Sequence, residues 1–339
     1  MRFELDNQTP FAAHVQSEPD LQGHDAALVL LKASFILGQE GFAPVEQQTP
    51  LRQQALRKRI GELGLEEVQM RLLSSWLEEE VVWQTHETSP PKAQFEILLC
   101  GHVSHAQPQA ALDAILDLGG QQRHLRAHAP RYHDGAQIRL VGGGVRSVPL
   151  CASFAHWDGG IFTQSQRLPS VAGLPAPEWL PWFDDPAQSV TRRAQQAAPR
   201  CFAAWPENAP SRLPYAGTFD ERWQQQRAPL MPQDFNPRFY NCADPALQWA
   251  QAPAPGTLLT LHNFGAQGRS ALRWPALRFA ARVQGVDGRT QQAEMRADTL
   301  EIDLLSGRYH IVWRAQIAAA QRQDGRGVAH IWRLSKEAA

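Results

Sequence analysis

The chain is short of several things, and each shortage removes a class of function. Its 339 residues carry 33 basic and 34 acidic side chains, a net charge of −1. A nucleic-acid binder needs a basic footprint, and the balance supplies none. Cysteine is scarce. Cys100, Cys151, Cys201 and Cys242 stand far apart and form neither a zinc-type pair nor a dense disulfide framework. Buried free thiols in a reducing, cytoplasmic setting are the expectation. Long hydrophobic runs are missing too. The longest, residues 26–37, is interrupted by Lys32 and is too short to span a bilayer, so no membrane partner is expected. The first residues turn polar at once, without a secretory pattern.

Catalytic signatures are equally scarce. There is no Gly-x-Ser-x-Gly elbow and no His-Glu-x-x-His pair. Gly142-Gly-Gly144 lacks the Lys-Ser/Thr of a phosphate loop and reads as a turn. Asp184-Asp185, just before Pro186, reads as a turn as well. Five histidines gather in sequence: His102, His105, His124, His128 and His133. Spacings of three and four would suit zinc on a helix, but these segments read as strands or loops, where such spacing does not hold one face. No metal, no cofactor and no catalytic residue is expected. A metal-dependent hydrolase built on those histidines is the rival reading, and a carbohydrate-binding β module using exposed tryptophans is a third.

What the chain does have is a core and many turns. Hydrophobic residues make up 43% and charged residues 20%, enough to fold rather than stay disordered. Residues 27–37 read as a buried strand. Residues 95–103, 124–129, 138–141, 148–154 and 257–261 read as short strands between turn signals, and 111–118 as a strand or a short helix. Leu300, Ile302 and Leu304 alternate with Glu301 and Asp303, which read as a solvated face. Ser306-Gly307 then turns the chain into alternating Tyr309, Ile311 and Trp313, the best hairpin in the sequence. Two helices are predicted at 51–60 and 65–79, the first capped by Thr49 before Pro50. The tail after about residue 317 is polar and reads as poorly packed.

The fold class that follows is mainly β: antiparallel sandwich or barrel-like modules, a Pro/Trp-rich irregular segment and a short helical insertion. The divisions fall at 1–160, with the insertion at about 50–80, then 161–256 and 257–339, possible parts of one domain. In the middle part Trp179, Trp182, Phe183, Trp205 and Trp223 are costly to leave wet, so ordered irregular chain is expected there.

The densest segment runs from Arg212 to Asn241. Thr218-Phe-Asp-Glu221 has the form of a capping box, which predicts a helix beginning at Phe219. Phe219 and Trp223 then share one face, and Pro229 stops the helix. Gly217 suits a sharp entry needing positive φ. Asp234-Phe-Asn-Pro237 is a turn in which Asp234 or Asn236 bonds its own backbone. Arg222, Arg227 and Arg238 are candidate partners of Asp220 and Asp234. The residues singled out, as structural clasp or partner surface, are Tyr215, Gly217, Thr218, Asp220, Trp223, Arg227, Pro229, Pro232, Asp234, Phe235, Phe239 and Asn241.

This segment, from Tyr215 through Asn241-Cys-Ala243, resembles the domain-of-unknown-function 2169 family, which is encoded in bacterial type VI secretion gene clusters. Weaker similar blocks are Leu30-Leu-Lys-Ala-Ser-Phe35, the strand from Lys92 ending in Gly101-His102, and Arg296-Ala-Asp-Thr-Leu-Glu-Ile-Asp303 with Tyr309-His-Ile-Val-Trp-Arg314. The resemblance runs over about residues 26–317. Residues 50–80 and the stretch after Asp158-Gly-Gly160 depart from the pattern; the former is the candidate for partner-specific contacts, dispensable for folding. What the resemblance implies is a non-enzymatic adaptor or chaperone that loads a secreted effector onto the spike or spike-tip protein.

Overall fold

The computed structural model describes residues 2–38, 43–134, 136–155, 178–180, 182–186, 200–319 and 325–335. In the first part the strands are β1 (Arg2–Asn7), β2 (Ala12–Ser17), β3 (Ala26–Ile36), β4 (Leu56–Arg59), β5 (Glu80–Gln84), β6 (Phe95–Cys100), β7 (His102–Gln109), β8 (Ala111–Leu118) and β9 (Gln121–His128). Shorter ones follow: β10 (Arg131–His133), β11 (Ile138–Leu140), β12 (Val145–Pro149), β13 (Glu178–Trp179), β14 (Phe183–Asp184) and β15 (Gln248–Trp249). The C-terminal set is β16 (Leu258–His262), β17 (Arg269–Arg273), β18 (Phe279–Gln284), β19 (Thr290–Asp303), β20 (Arg308–Ala318) and β21 (Arg326–Arg333). The protein is mainly β, as its alternating sequence predicts.

The largest sheet runs β1-β21-β18-β19-β20-β3-β2. Its two end strands are consecutive in the chain, joined through a tight turn in which Asn7 Nδ2 donates to Phe11 O at 2.7 Å. The sheet therefore curls into a nearly closed barrel. Pairing is mostly antiparallel, with parallel exceptions at β1–β21 and β19–β6. The long β19 pairs β18 with its first half and β6 with its second. A second sheet runs β14-β9-β8-β16-β17. Strands from before residue 160 and after residue 257 interleave in both sheets.

Register decides what faces inward. Phe35 pairs with Tyr309, Ala33 with Ile311 and Leu31 with Trp313, so these side chains share the barrel interior. Phe11, Phe35, Phe279, Tyr309 and Trp313 form a chain of ring contacts there, with centroids 5.0–6.1 Å apart. Burying these aromatics is the main driving force available to the fold. The four cysteines are free and buried. Trp182, Phe183 and Trp205 are buried as expected; Pro169, Pro175, Pro177, Pro181 and the Trp179 side chain lie outside the described residues.

Several expectations are overturned. Residues 51–60 are not a helix. Leu56–Arg59 forms β4, which pairs with β5, because its alternating side chains fit a two-stranded ribbon. The second helix shrinks to α1 (Glu67–Leu72) and a 3-10 turn at Ser74–Trp76. This insertion is not a free-standing addition: Ile60, Leu63, Leu65 and Leu73 are buried in the common core, so deleting it is expected to destabilise the fold. The tail is not loose either, since β21 sits between β1 and β18. Most consequential, Glu301 does not face solvent. It is 4% exposed on the outer face of the barrel wall, beneath the chain that carries Arg52 and Gln84.

Candidate functional site

That outer wall is polar and covered. Lys32 and Ser34 on β3, His310 and Arg314 on β20, Glu301 on β19 and Glu96 on β6 are all buried on one face. Glu87 bonds Lys32 Nζ at 3.0 Å and Arg52 N at 2.7 Å, and the Arg52 guanidinium also pairs with Glu301. Gln84 Nε2 donates to the other Glu301 oxygen at 2.7 Å. Arg314 pairs with Asp298 and donates to the carbonyls of Glu87 at 2.7 Å and Ser89 at 3.1 Å. Burial opposes ionisation of Glu87, but Arg52 and Lys32 outweigh it and hold its carboxyl below the usual value. Burial, reinforced by Glu87, pushes Glu301 the other way.

Next to this network lies Glu96, which fastens the 212–241 segment to the sheet. Its Oε2 accepts from Asn241 Nδ2 at 3.1 Å, Cys242 N at 2.8 Å and Ala243 N at 3.0 Å. Its Oε1 pairs with Lys92 and lies 3.3 Å from Cys242 Sγ. The Asn241 amide also closes a two-way exchange with the Gln94 backbone, at 3.1 and 2.8 Å. Burial and the Glu96 charge push the Cys242 thiol up, which disfavours the thiolate needed for nucleophilic chemistry.

The segment itself is a clasp. Gly217 has φ +79°, and a Cβ there would meet Pro232 Cβ at 2.9 Å and Phe235 N at 3.0 Å. The capping box does not form as predicted. Helix α2 spans Glu221–Gln226 and is capped by Asp220, whose Oδ1 accepts from Trp223 N at 2.8 Å. Thr218 is taken instead by Asp234, through its N–H at 2.9 Å and its hydroxyl at 2.7 Å. A carboxylate accepting two bonds from one residue outcompetes a weaker hydroxyl cap. Asn236 Oδ1 caps the next turn at Arg238 N, 3.0 Å. The predicted arginine pairs also differ. Arg227 donates to the carbonyls of Met231 and, at 2.7 Å, Leu21; Arg238 lies over the Tyr215 ring. Arg212 is buried and donates to Phe239 O and Trp205 O, between 2.7 and 3.0 Å.

Trp223 meets Phe219 edge-on at 4.8 Å and donates from Nε1 to Leu230 O at 2.8 Å. It is only half-buried. Trp223→Ala is therefore expected to cost about 2 kcal/mol rather than the roughly 3–5 kcal/mol of a core aromatic. Asp234→Ala should lower stability by less than Trp223→Ala, through loss of the two bonds to Thr218. Urea melts of both variants check this, and unchanged midpoints would refute the structural role.

Between this clasp and the β4–β5 ribbon opens a cleft of about 980 Å3. Val82, Thr85 and Ser89 line one side, Pro206, Pro210, Met231, Phe239 and Tyr240 the other, with Lys92, Arg212 and Cys242 among its lining residues. The Ser89 hydroxyl is buried and has no hydrogen-bond partner among the described residues. Leu213, Phe219 and Met231 of the clasp are 53%, 54% and 37% exposed.

Residues 159–314 match the family described as an uncharacterized protein conserved in bacteria, DUF2169. The DUF2169 match takes in the whole clasp, one side of the cleft and strands β16–β19. It leaves out the similar blocks at Leu30–Phe35 and Lys92–His102, and its description assigns no activity. No curated protein and no solved structure matches the chain.

The histidines fall on strands and in separate contacts. His102 Nε2 is 2.7 Å from Leu63 O, His105 is exposed, and His128 Nε2 is 2.7 Å from Asp184 Oδ2. The His133 side chain lies outside the described residues. Asp184 is not a turn residue: on β14 it bonds His128 and, at 3.0 Å, Arg131. Among the described residues no three His, Cys, Asp or Glu side chains form a metal-binding group. Every described tryptophan is buried or half-buried. No helix among the described residues is long and apolar enough to cross a membrane. Sequence reading missed the Lys32–Glu87–Arg52–Glu301 and Lys92–Glu96–Cys242 networks; the one signal was Lys32 interrupting an apolar strand.

Proposed function

We propose that the protein is a non-enzymatic adaptor that binds a protein partner through the clasp and its cleft. The observation that carries this reading is a division of labour between the charged groups that anchor the clasp and the apolar side chains that the clasp exposes. The deepest charged groups, Lys92, Glu96 and Arg212, are engaged with one another's neighbours and with backbone carbonyls. Leu213, Phe219 and Met231 of the clasp stay exposed, and Met231 also lines the cleft. Apolar and aromatic side chains presented on a rigid turn, next to a concave surface, are the chemistry of protein recognition. The resemblance to proteins encoded with type VI secretion genes supports a secreted effector or spike-tip protein as the partner, met in the cytoplasm before secretion.

The test uses Leu213→Asp combined with Phe219→Asp in the full chain. Both positions are more than half exposed, so the melting temperature should fall by only a few degrees, from the lost Phe219–Trp223 ring contact. Recovery of a co-expressed effector or spike-tip protein should drop at least tenfold. Full recovery by the double variant would remove the clasp as the interface. A stoichiometric metal in the purified protein, with metal-dependent hydrolysis, would favour the hydrolase reading instead.

A further inference from the structure

The open end of the barrel holds a second concavity, remote from the clasp in chain and chemistry. It encloses about 440 Å3. Its floor is the aromatic group Phe11, Phe35 and Phe279, which are 8%, 1% and 0% exposed. Phe11 meets Phe35 at 6.1 Å and Phe279 edge-on at 5.8 Å, so the floor is fixed by ring packing rather than by a mobile loop. Pro10, Pro44 and Leu277 complete apolar walls. Volume and lining fall within the range of small-molecule sites, about 300–1,000 Å3 and predominantly apolar, and barrel mouths are a preferred place for them.

The polar groups at this mouth are few, and their states differ. Gln8 Nε2 donates to Asp6 at 3.2 Å, and Thr9 Oγ1 donates to Asn7 at 2.8 Å, so both are occupied. Arg333 is not. It is directly opposite Phe279 in the β18–β21 register, which places it on the inward face at the last position of β21. Among the described residues its guanidinium has no hydrogen-bond or ion-pair partner. Among the described residues no carboxylate lines the pocket, and nearby Asp6 is held by His330 Nδ1 at 2.9 Å. An aromatic floor below a cation that has no partner among the described residues suits a molecule with one apolar end and one anionic end.

We propose that the barrel mouth binds a small apolar monocarboxylate, its tail against Phe11, Phe35 and Phe279 and its carboxylate on Arg333. A planar carboxylate matches the guanidinium fork, and an amine or alcohol of the same chain does not. The site is separate from the adaptor reading and stands or falls independently of it.

Calorimetric titration of the full chain with octanoate tests this, with octan-1-ol and octylamine as comparators. Octanoate should saturate at one site, with octan-1-ol at least tenfold weaker and octylamine weaker still. Arg333→Gln changes an exposed residue, so it should keep the wild-type melting temperature while lowering octanoate affinity to that of octan-1-ol. Ala276→Trp, on the rim, should block both ligands. Absence of saturation with octanoate, equal binding of octan-1-ol, or unchanged octanoate affinity in Arg333→Gln would each overturn the proposal. Binding to phosphatidylglycerol vesicles without binding free octanoate would overturn it too, by assigning the cation to a lipid surface.

Discussion

Replacing Glu96 with alanine is expected to destabilise the protein by about 3–5 kcal/mol, the usual consequence of removing one partner from a buried ion pair. The reason lies in what the carboxylate leaves behind. Glu96 is fully buried, and its loss strands the equally buried Lys92 ammonium and the peptide N–H groups of Cys242 and Ala243. Each is left as a buried polar group without its partner. The Asn241 side chain loses one contact but keeps Gln94. Urea denaturation should show a lower midpoint with an unchanged slope, because the same surface is exposed on unfolding. Glu96→Gln should fall between the two, since an amide oxygen can still accept from the peptide groups but its NH2 opposes Lys92.

The same substitution probes the clasp. Cys242 is held through its own N–H and thiol by Glu96, so Glu96→Ala should speed alkylation of that thiol relative to the wild type. A loss below about 1 kcal/mol, with no change in alkylation, would mean that the segment is anchored elsewhere. The pH dependence has a definite sign. Burial opposes the Glu96 charge, but Lys92 and the N–H donors hold its folded pKa below the ordinary 4.5. Its stabilisation is therefore present above about pH 4.5 and lost as pH falls through the folded value.

How much of this was legible follows from which signals are local. The strand at 27–37 and the hairpin around Ser306-Gly307 emerged as read, because an apolar run and alternation are properties of neighbouring residues. Leu56–Arg59 misled because Arg and Lys favour a helix in isolation, while the pairing with β5 that overrides them comes from residues 80–84. Thr218 and Asp220 are both good caps, and the choice between them was made by Asp234, 16 residues further on. The largest gap concerned Glu301, His310 and Arg314. Alternating polar residues mark a face that differs from the apolar one, and nothing local says whether water or protein covers it. The cover on Glu301 is Arg52, 249 positions away. The barrel mouth was equally hidden, since Arg333 and Phe11 meet only when β21 inserts beside β1.

Acid should destabilise the fold well before its carboxylates titrate, and His310 should carry most of the effect. The ring is buried on β20, with Nδ1 2.8 Å from Ser34 Oγ. Burial first, then the Lys32 cation, lowers its pKa from 6.5 to about 3. The folded protein thus holds this imidazole neutral, whereas the unfolded chain protonates it near 6.5. Its contribution is complete above pH 6.5 and is lost progressively as pH falls from 6.5 toward 3. A separation of that size corresponds to roughly 4–5 kcal/mol across the window. His102 and His128 are also lowered, each chiefly by burial, and add to the slope in the same direction. Glu96 and Glu87 act only below about 4.5. Glu301, raised above 4.5 by burial, acts in the opposite sense and is common to wild type and variant, so the difference between the two between pH 6.5 and 4.5 reports His310. Chemical denaturation at several pH values should show stability falling through that interval in the wild type. In His310→Asn, whose amide can still bond Ser34 but cannot take up a proton, the slope should be less than half as steep. An equal slope in both proteins would move the acid sensitivity to His102 or His128 and leave the ring on β20 a passive part of the wall.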